Sequence, residues 1–260
     1  MRIGFFDSGL GGLTIFKEAI KKYKAEYIYF GDIKNSPYGV KPKEEIKKYI
    51  FENVKYLVEN GCKVIVIACN TATSVAILEL REMYPNICFI GTEPAVKPAV
   101  LLNNNKKILV MATSLTLKEK KLHDLVKKLD AEERIVFLPM DKLVRFAEEC
   151  DNINYSYAYE YIKEKFKEFD FSEFSSVVLG CTHFPLFREE FKKNLSNDIE
   201  IIDSAEGVVN NMINNALKID SREQVENKIE IVVTKENFNF LNKASKILET
   251  DKEKIVFKII

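Results

Sequence analysis

The chain has 260 residues, enough for one or two domains, and 47% of them are hydrophobic, so a full core can form. Its 39 basic and 39 acidic residues cancel, which leaves no basic field for a polyphosphate backbone and argues against nucleic-acid binding. No apolar run approaches the roughly 18 residues of a membrane span, and the strand-like Ile3-Gly4-Phe5-Phe6 lies where a signal peptide would begin, so the expected location is cytoplasmic.

The opening stretch IGFFDSGLGGLTIF (3–16) predicts a short strand, an Asp7-Ser8 step, a Gly-rich turn and a helix from about 12 to 22. Glycines there let backbone amides approach a ligand, and a helix N-terminus favours an anion. A tight turn capped by Asp7 accounts for the segment equally well. The pattern is not GxxxxGK[ST], so a nucleotide P-loop is not indicated. A second strand at 27–30 ends in Gly31-Asp32, and the loop 33–40 carries Ser36-Pro37-Tyr38-Gly39, a turn placed to cover a site. Apolar residues at Ile46, Ile50, Val54, Leu57 and Val58 predict a helix over 42–60, ended by Gly61.

The next strand, 64–67, leads through Ala68 to Cys69-Asn70-Thr71-Ala72-Thr73 and a helix to about 83. A strand at 87–90 follows, then a short helix within 91–98 and a linker-like Asn103-Asn104-Asn105. The segment 106–116 repeats the pattern of apolar strand, Ala112-Thr113 and hydroxyls, with a helix running to about 129. A strand at 135–138 and helices over 141–149 and 155–169 precede Val177-Val178-Leu179-Gly180-Cys181-Thr182-His183-Phe184-Pro185, with a helix expected from 185. A strand at 199–202, a helix from Asp203-Ser204-Ala205 to about 217, a strand at 230–233, a helix at 236–248 and a strand at 255–259 close the chain. Strands and helices alternate throughout, which predicts an α/β fold with mainly parallel sheets and ligand-binding βα turns.

Five cysteines without CxxC spacing indicate neither a disulfide framework nor a zinc site. Cys62 and Cys88 read as small buried hydrophobes and Cys150 as incidental, and His123 reads as a surface residue. Cys69 and Cys181 differ because each sits at a strand-to-helix step, where amides are expected to stabilise thiolate and lower a pKa that starts near ~8.5. His183 follows Cys181 closely enough to orient or protonate it. A Cys–His hydrolase would leave the second cysteine idle, and a dithiol redox pair prefers closer spacing. An acid/base pair flanking one carbon uses both thiols, one removing a proton while the other delivers one. Sequence spacing alone leaves these choices open.

The combination of Asp7-Ser8-Gly9-Leu10-Gly11-Gly12, Gly31-Asp32, Pro37-Tyr38-Gly39, Ala68-Cys69-Asn70-Thr71-Ala72, Ala112-Thr113 and Gly180-Cys181-Thr182-His183-Phe184-Pro185-Leu186 resembles the glutamate racemase family, within the cofactor-independent aspartate/glutamate racemases. The resemblance implies two pseudo-symmetric α/β domains with the active site in the cleft between them. The expected partition is 1–93 completed by 206–260, and 94–205. It further implies interconversion of L- and D-glutamate without cofactor or metal, D-glutamate supply for peptidoglycan, and a homodimer.

Cys69 and Cys181 would be the catalytic acid/bases, assisted by Asp7 and His183. Ser8, Tyr38, Gly39, Asn70, Thr71 and Thr182 would bind the amino acid together with Asp7 and His183, with Thr113 and Thr116 near its carboxylates. The family's further acidic residue falls on Glu148 of Ala147-Glu148-Glu149-Cys150, with Glu149 as the alternative. The extension found in precursor-activated members is missing, so that regulation is not expected. An aspartate racemase or another cofactor-free isomerase is the nearest alternative. A non-catalytic amino-acid-binding protein is a further one.

Overall fold

The strands predicted from the sequence are apolar at nearly every position, the pattern of strands covered by helices on both faces. The structure, a computed structural model, describes residues 1–102, 105–149, 152–221, 226–235 and 238–260. Asn103 and Asn104 of the expected linker, Cys150 and Glu236 lie outside the described residues. Among the described residues the strands are β1 (Arg2–Asp7), β2 (Glu26–Gly31), β3 (Val64–Ile67), β4 (Cys88–Gly91), β5 (Lys107–Ala112), β6 (Ile135–Pro139), β7 (Phe174–Leu179), β8 (Glu200–Ile202), β9 (Lys228–Val233) and β10 (Ile255–Ile259). One sheet has the order β10-β9-β2-β1-β3-β4 and the other β6-β5-β7-β8, and each strand pairing within them is parallel.

The run β2-β1-β3-β4 and the run β6-β5-β7-β8 have the same order, so β1 and β3 correspond to β5 and β7. This repetition underlies the pseudo-symmetry. In each run the chain winds one way from the first strand and then the other way, and a crevice opens at the carboxyl ends where the direction switches. The strands flanking the two switch points deliver Asp7 and Cys69 in one sheet, and Thr113 and Cys181 in the other.

Side-chain alternation divides each strand between two cores. Phe5, Tyr27, Tyr29 and Val66 pack with residues of the helices Leu13–Lys22, Ala205–Ile219 and Phe238–Leu248. Phe6, Ile28, Phe30, Ile65 and Ile67 pack with residues of Lys43–Glu59 and Asn70–Met83 on the opposite face. In the second sheet, Met111, Val177 and Leu179 face the helices Lys142–Glu148 and Tyr155–Phe166. There Val110, Ala112 and Val178 face Val96–Leu101 and Lys120–Lys128. Phe16 sits 5.0 Å from Phe5 and 5.4 Å from Tyr27 between ring centroids; such pairs contribute about 0.5–1.5 kcal/mol each beyond their burial.

Two expected helices differ. The one running to about 129 is broken into Ser114–Lys118 and Lys120–Lys128, with Glu119 extended between them. After Cys181 there is a 3-10 turn, Phe184–Phe187, and then only the short helix Arg188–Lys192. Pro185 lies in the first turn of that 3-10 segment, where a missing amide hydrogen is tolerated, and the α-helix begins only at Arg188. Among the described residues no helix is long and apolar enough to cross a membrane.

Candidate active site

The Gly-rich turn after β1 does hold an anion, and that anion belongs to the protein. Glu148, at the end of a helix on the second sheet, accepts a hydrogen bond from the Leu10 amide at 2.6 Å through Oε1. A Cβ on Gly9 would collide with this carboxylate, so glycine is what admits Glu148 to the turn. Gly12 is equally constrained, because a Cβ there would lie 2.6 Å from the Asp7 Cβ. Tyr29 braces the turn by donating to the Gly9 carbonyl at 2.6 Å. Asp7 is fully buried; its Oδ1 accepts from the Gly9 amide at 2.8 Å, and its Oδ2 accepts from Thr182 Oγ1 at 3.1 Å. That second bond ties the strand ends of the two sheets together. Burial raises the Asp7 pKa, with Glu148 adding to the rise, while His183 and the Gly9 and Gly12 amides oppose it.

Cys69 and Cys181 each follow their strand by two residues, with Ala68 and Gly180 intervening. Both are buried, at 6% and 8% exposure. Cys69 caps the helix Asn70–Met83, its sulfur accepting from the Ala72 amide at 3.4 Å, and its thiol reaches Ser8 Oγ at 3.8 Å. The expected lowering of its pKa does not occur. Burial pushes the Cys69 thiol strongly up, and the nearby Asp7 and Cys181 push the same way. One amide and one hydroxyl do not replace the lost water beside a carboxylate.

Cys181 has a different setting. Because the chain turns in a 3-10 conformation, no α-helix begins directly behind its sulfur. Its polar neighbour is His183, whose Nδ1 lies 3.7 Å from Sγ and whose Nε2 lies 2.6 Å from Glu148 Oε1. Burial works against charging this imidazole, but the Cys181 and Glu148 contacts outweigh it and hold the His183 pKa well above its usual value. Glu149, the alternative acid, instead pairs with Arg145 at 2.8 Å on the surface.

Across the cleft, Thr71 from the first half meets Thr113 and Thr116 from the second, each 3.2 Å away, and those two are 3.0 Å apart. Thr113 also caps Ser114–Lys118, as Cys69 caps its own helix. Asn70 donates to the Thr92 carbonyl at 3.4 Å. A Cβ on Gly39 would stand 2.7 Å from the Thr113 Cβ, so the 37–39 turn presses directly on this hydroxyl cluster. Tyr38 is placed with its hydroxyl turned to Asp32 at 2.6 Å. Asp32 also accepts from Asn35 at 3.0 Å and from Thr234 at 2.8 Å.

The structure thus bonds Thr182 to Asp7, links Cys181, His183 and Glu148 in a second hydrogen-bonded group, and joins Cys69 to Ser8. Thr71, Thr113 and Thr116 form a further cluster. Sequence reasoning missed the anchoring roles of the Leu10 amide, Asp32 and Thr234. It also missed Thr14, whose hydroxyl donates to the Thr182 carbonyl at 3.2 Å. Asp32 left a signal in the Gly31-Asp32 motif and Leu10 in the Gly-rich turn; Thr14 and Thr234 left none.

Away from these clusters, Cys62 is fully buried and its thiol is pushed up to about 12 by that burial. Cys88 is half-buried, and His123 is exposed with Nε2 2.8 Å from the Leu117 carbonyl. Among the described residues no cluster of His, Cys, Asp and Glu is arranged to hold a metal ion.

The sequence profile of the Asp/Glu/Hydantoin racemase family matches residues 17–212. The chain is 50% identical over 208 residues to a glutamate racemase of Clostridium novyi, covering 80% of each chain. It is 44% identical over 236 residues to a glutamate racemase of Halothermothrix orenii, covering 89% of this chain and 91% of that one. Its fold matches the crystal structure of a glutamate racemase isoform from Bacillus anthracis with a TM-score of 0.84 at 27% identity, over 99% of this chain and 96% of that one. A Francisella tularensis glutamate racemase, crystallised with D-glutamate, matches with a TM-score of 0.81 at 26% identity, over 100% and 96% of the two chains. The chain belongs to the Asp/Glu/Hydantoin racemase family.

Proposed function

We propose that this protein is a glutamate racemase that moves a proton on and off Cα between Cys69 and Cys181. The observation that carries this reading is the placement of the two thiols: each lies two residues beyond the corresponding strand of two sheets that repeat one strand order. Two opposed acid/bases are what inversion at a carbon needs, since the proton leaves one face and returns on the other.

The Cα–H of an amino acid is a very weak acid, so the carboxylate must be met by preorganised donors as it gains carbanion character. Asn70, Thr71, Thr182 and the backbone amides after each cysteine supply them, in a site whose burial excludes water. Asp7 and Ser8 receive the substrate ammonium. Thr113 and Thr116 complete the carboxylate contacts. Tyr38 spends its hydroxyl on Asp32, so the 37–39 turn contributes through the backbone of Tyr38 and Gly39. Cys181 removes the proton from L-glutamate while Cys69 delivers one to the opposite face, and the roles exchange for D-glutamate. His183, backed by Glu148, donates to or accepts from the Cys181 sulfur and matches its charge at each stage. The reaction uses no cofactor.

The chain divides into one domain of residues 1–93 and 206–260 and another of 94–205, with the substrate between them. The enzyme acts as a homodimer in the cytoplasm and supplies D-glutamate for peptidoglycan. The test is circular dichroism with L-glutamate and, separately, L-aspartate, without added cofactor. The expected result is decay of the glutamate signal to zero, with aspartate much slower. A stable glutamate signal, or faster decay with aspartate, would overturn the reading.

A further inference from the structure

The helix Phe238–Leu248 packs on the first sheet, with Phe240, Ala244 and Leu248 in the same core as Leu13 and Phe16. From it Lys243 reaches across to the other half of the molecule. Its side chain is 5% exposed, and a buried ammonium is costly unless hydrogen-bonded. Lys243 Nζ donates to the Ala147 carbonyl at 2.9 Å and reaches the Glu148 carbonyl at 3.5 Å. These carbonyls end the helix Lys142–Glu148, where the last turn has no intrahelical donors left.

We propose that Lys243 is a positioning residue for proton transfer at Cys181, acting through Glu148; this rests on the racemase reading above. Glu148 is held at both ends. Lys243 from the first half holds the helix end at the Ala147 carbonyl and reaches the Glu148 carbonyl, and the Glu148 carboxylate is fixed by the Leu10 amide and His183 Nε2, both at 2.6 Å. His183 in turn faces the Cys181 sulfur. Lys243 therefore sets where the Glu148–His183 pair stands relative to Cys181 without touching substrate. Among the described residues no lysine holds the groups beside Cys69 in this way; its hydrogen-bond partners there are Ser8 and the Ala72 amide. The role is one-sided, and this distinguishes it from general stabilisation of the interface.

Wild-type racemisation of glutamate is measured first; its absence would sink the racemase reading itself. Lys243→Met removes the donor while keeping much of the volume, Lys243→Gln keeps a neutral donor, and Lys243→Arg keeps a cation. Thermal melting checks that each folds, and Lys243→Gln carries the comparison if Lys243→Met does not. A small misplacement of a catalytic group costs up to about 100-fold, so kcat of the Met and Gln variants is expected to fall about 10- to 100-fold with KM little changed. The directional readout is the primary isotope effect. It should rise with Cα-deuterated L-glutamate, whose proton goes to Cys181, and fall with Cα-deuterated D-glutamate. Lys243→Arg should retain most of the rate. Wild-type kcat in both neutral variants would overturn the proposal. So would a loss that leaves the ratio of the two isotope effects unchanged, or an Arg variant as impaired as Met.

Discussion

Glu148→Gln tests the acid–base chain at its centre. The substitution keeps the shape and an acceptor oxygen but removes the charge from a side chain that is 8% exposed, facing a histidine that is 2% exposed. A hydrogen bond to a charged group contributes about 1.5–3 kcal/mol. Losing the charge-assisted part of one such bond at the transition state slows racemisation by roughly 10- to 150-fold, at about 1.4 kcal/mol per factor of ten. The His183 pKa, now held up by Cys181 and Glu148 against burial, should fall. If the charged imidazole supports Cys181, the basic limb of the rate profile then moves to lower pH.

The stability consequence has a definite sign. A histidine whose folded pKa is raised contributes stability that is fully present below its unfolded value, near 6.5, and lost as pH rises through the folded value. The melting-temperature gap between wild type and Glu148→Gln is therefore widest below about pH 6.5 and narrows above it. Initial rates by circular dichroism across the pH range, with melting curves at the same points, provide the measurements. Glu149→Gln is the control, because Glu149 is half-exposed and paired with Arg145. A wild-type rate and profile in Glu148→Gln, or an equal loss in Glu149→Gln, would refute the reasoning.

Cys69→Ser and Cys181→Ser should each fold and each lose at least the ~10²–10⁴-fold typical of a general acid–base group. In deuterated water the wild type should place early label at Cα of the product enantiomer; label returning equally to the starting enantiomer would point to a single base. Iodoacetamide should modify Cys181 before Cys69, because burial and Asp7 hold the Cys69 thiol protonated, and glutamate should slow both. Peptide mapping that finds Cys62 labelled first, with no protection by ligand, contradicts the assignment.

The sequence alone determined the alternation of strands and helices, because each element carries its own periodicity and its own stop signals. Gly61, in a left-handed conformation, ends a helix through local backbone sterics. Cys69 and Cys181 were legible for a related reason: a polar residue closing an apolar strand stands out wherever the strand pairs. Glu148 was legible only through resemblance, since nothing local separates it from Glu149. The tertiary structure separated them, turning one carboxylate inward to Leu10 and His183 and leaving the other to Arg145. It also reversed the expectation for the Cys69 pKa, because desolvation depends on what the rest of the chain packs around the sulfur. The helix-end argument sees only the two residues beside it. Lys243 gave no signal at all: its partner carbonyls lie more than ninety positions away, and only the packing of one half against the other brings them within reach.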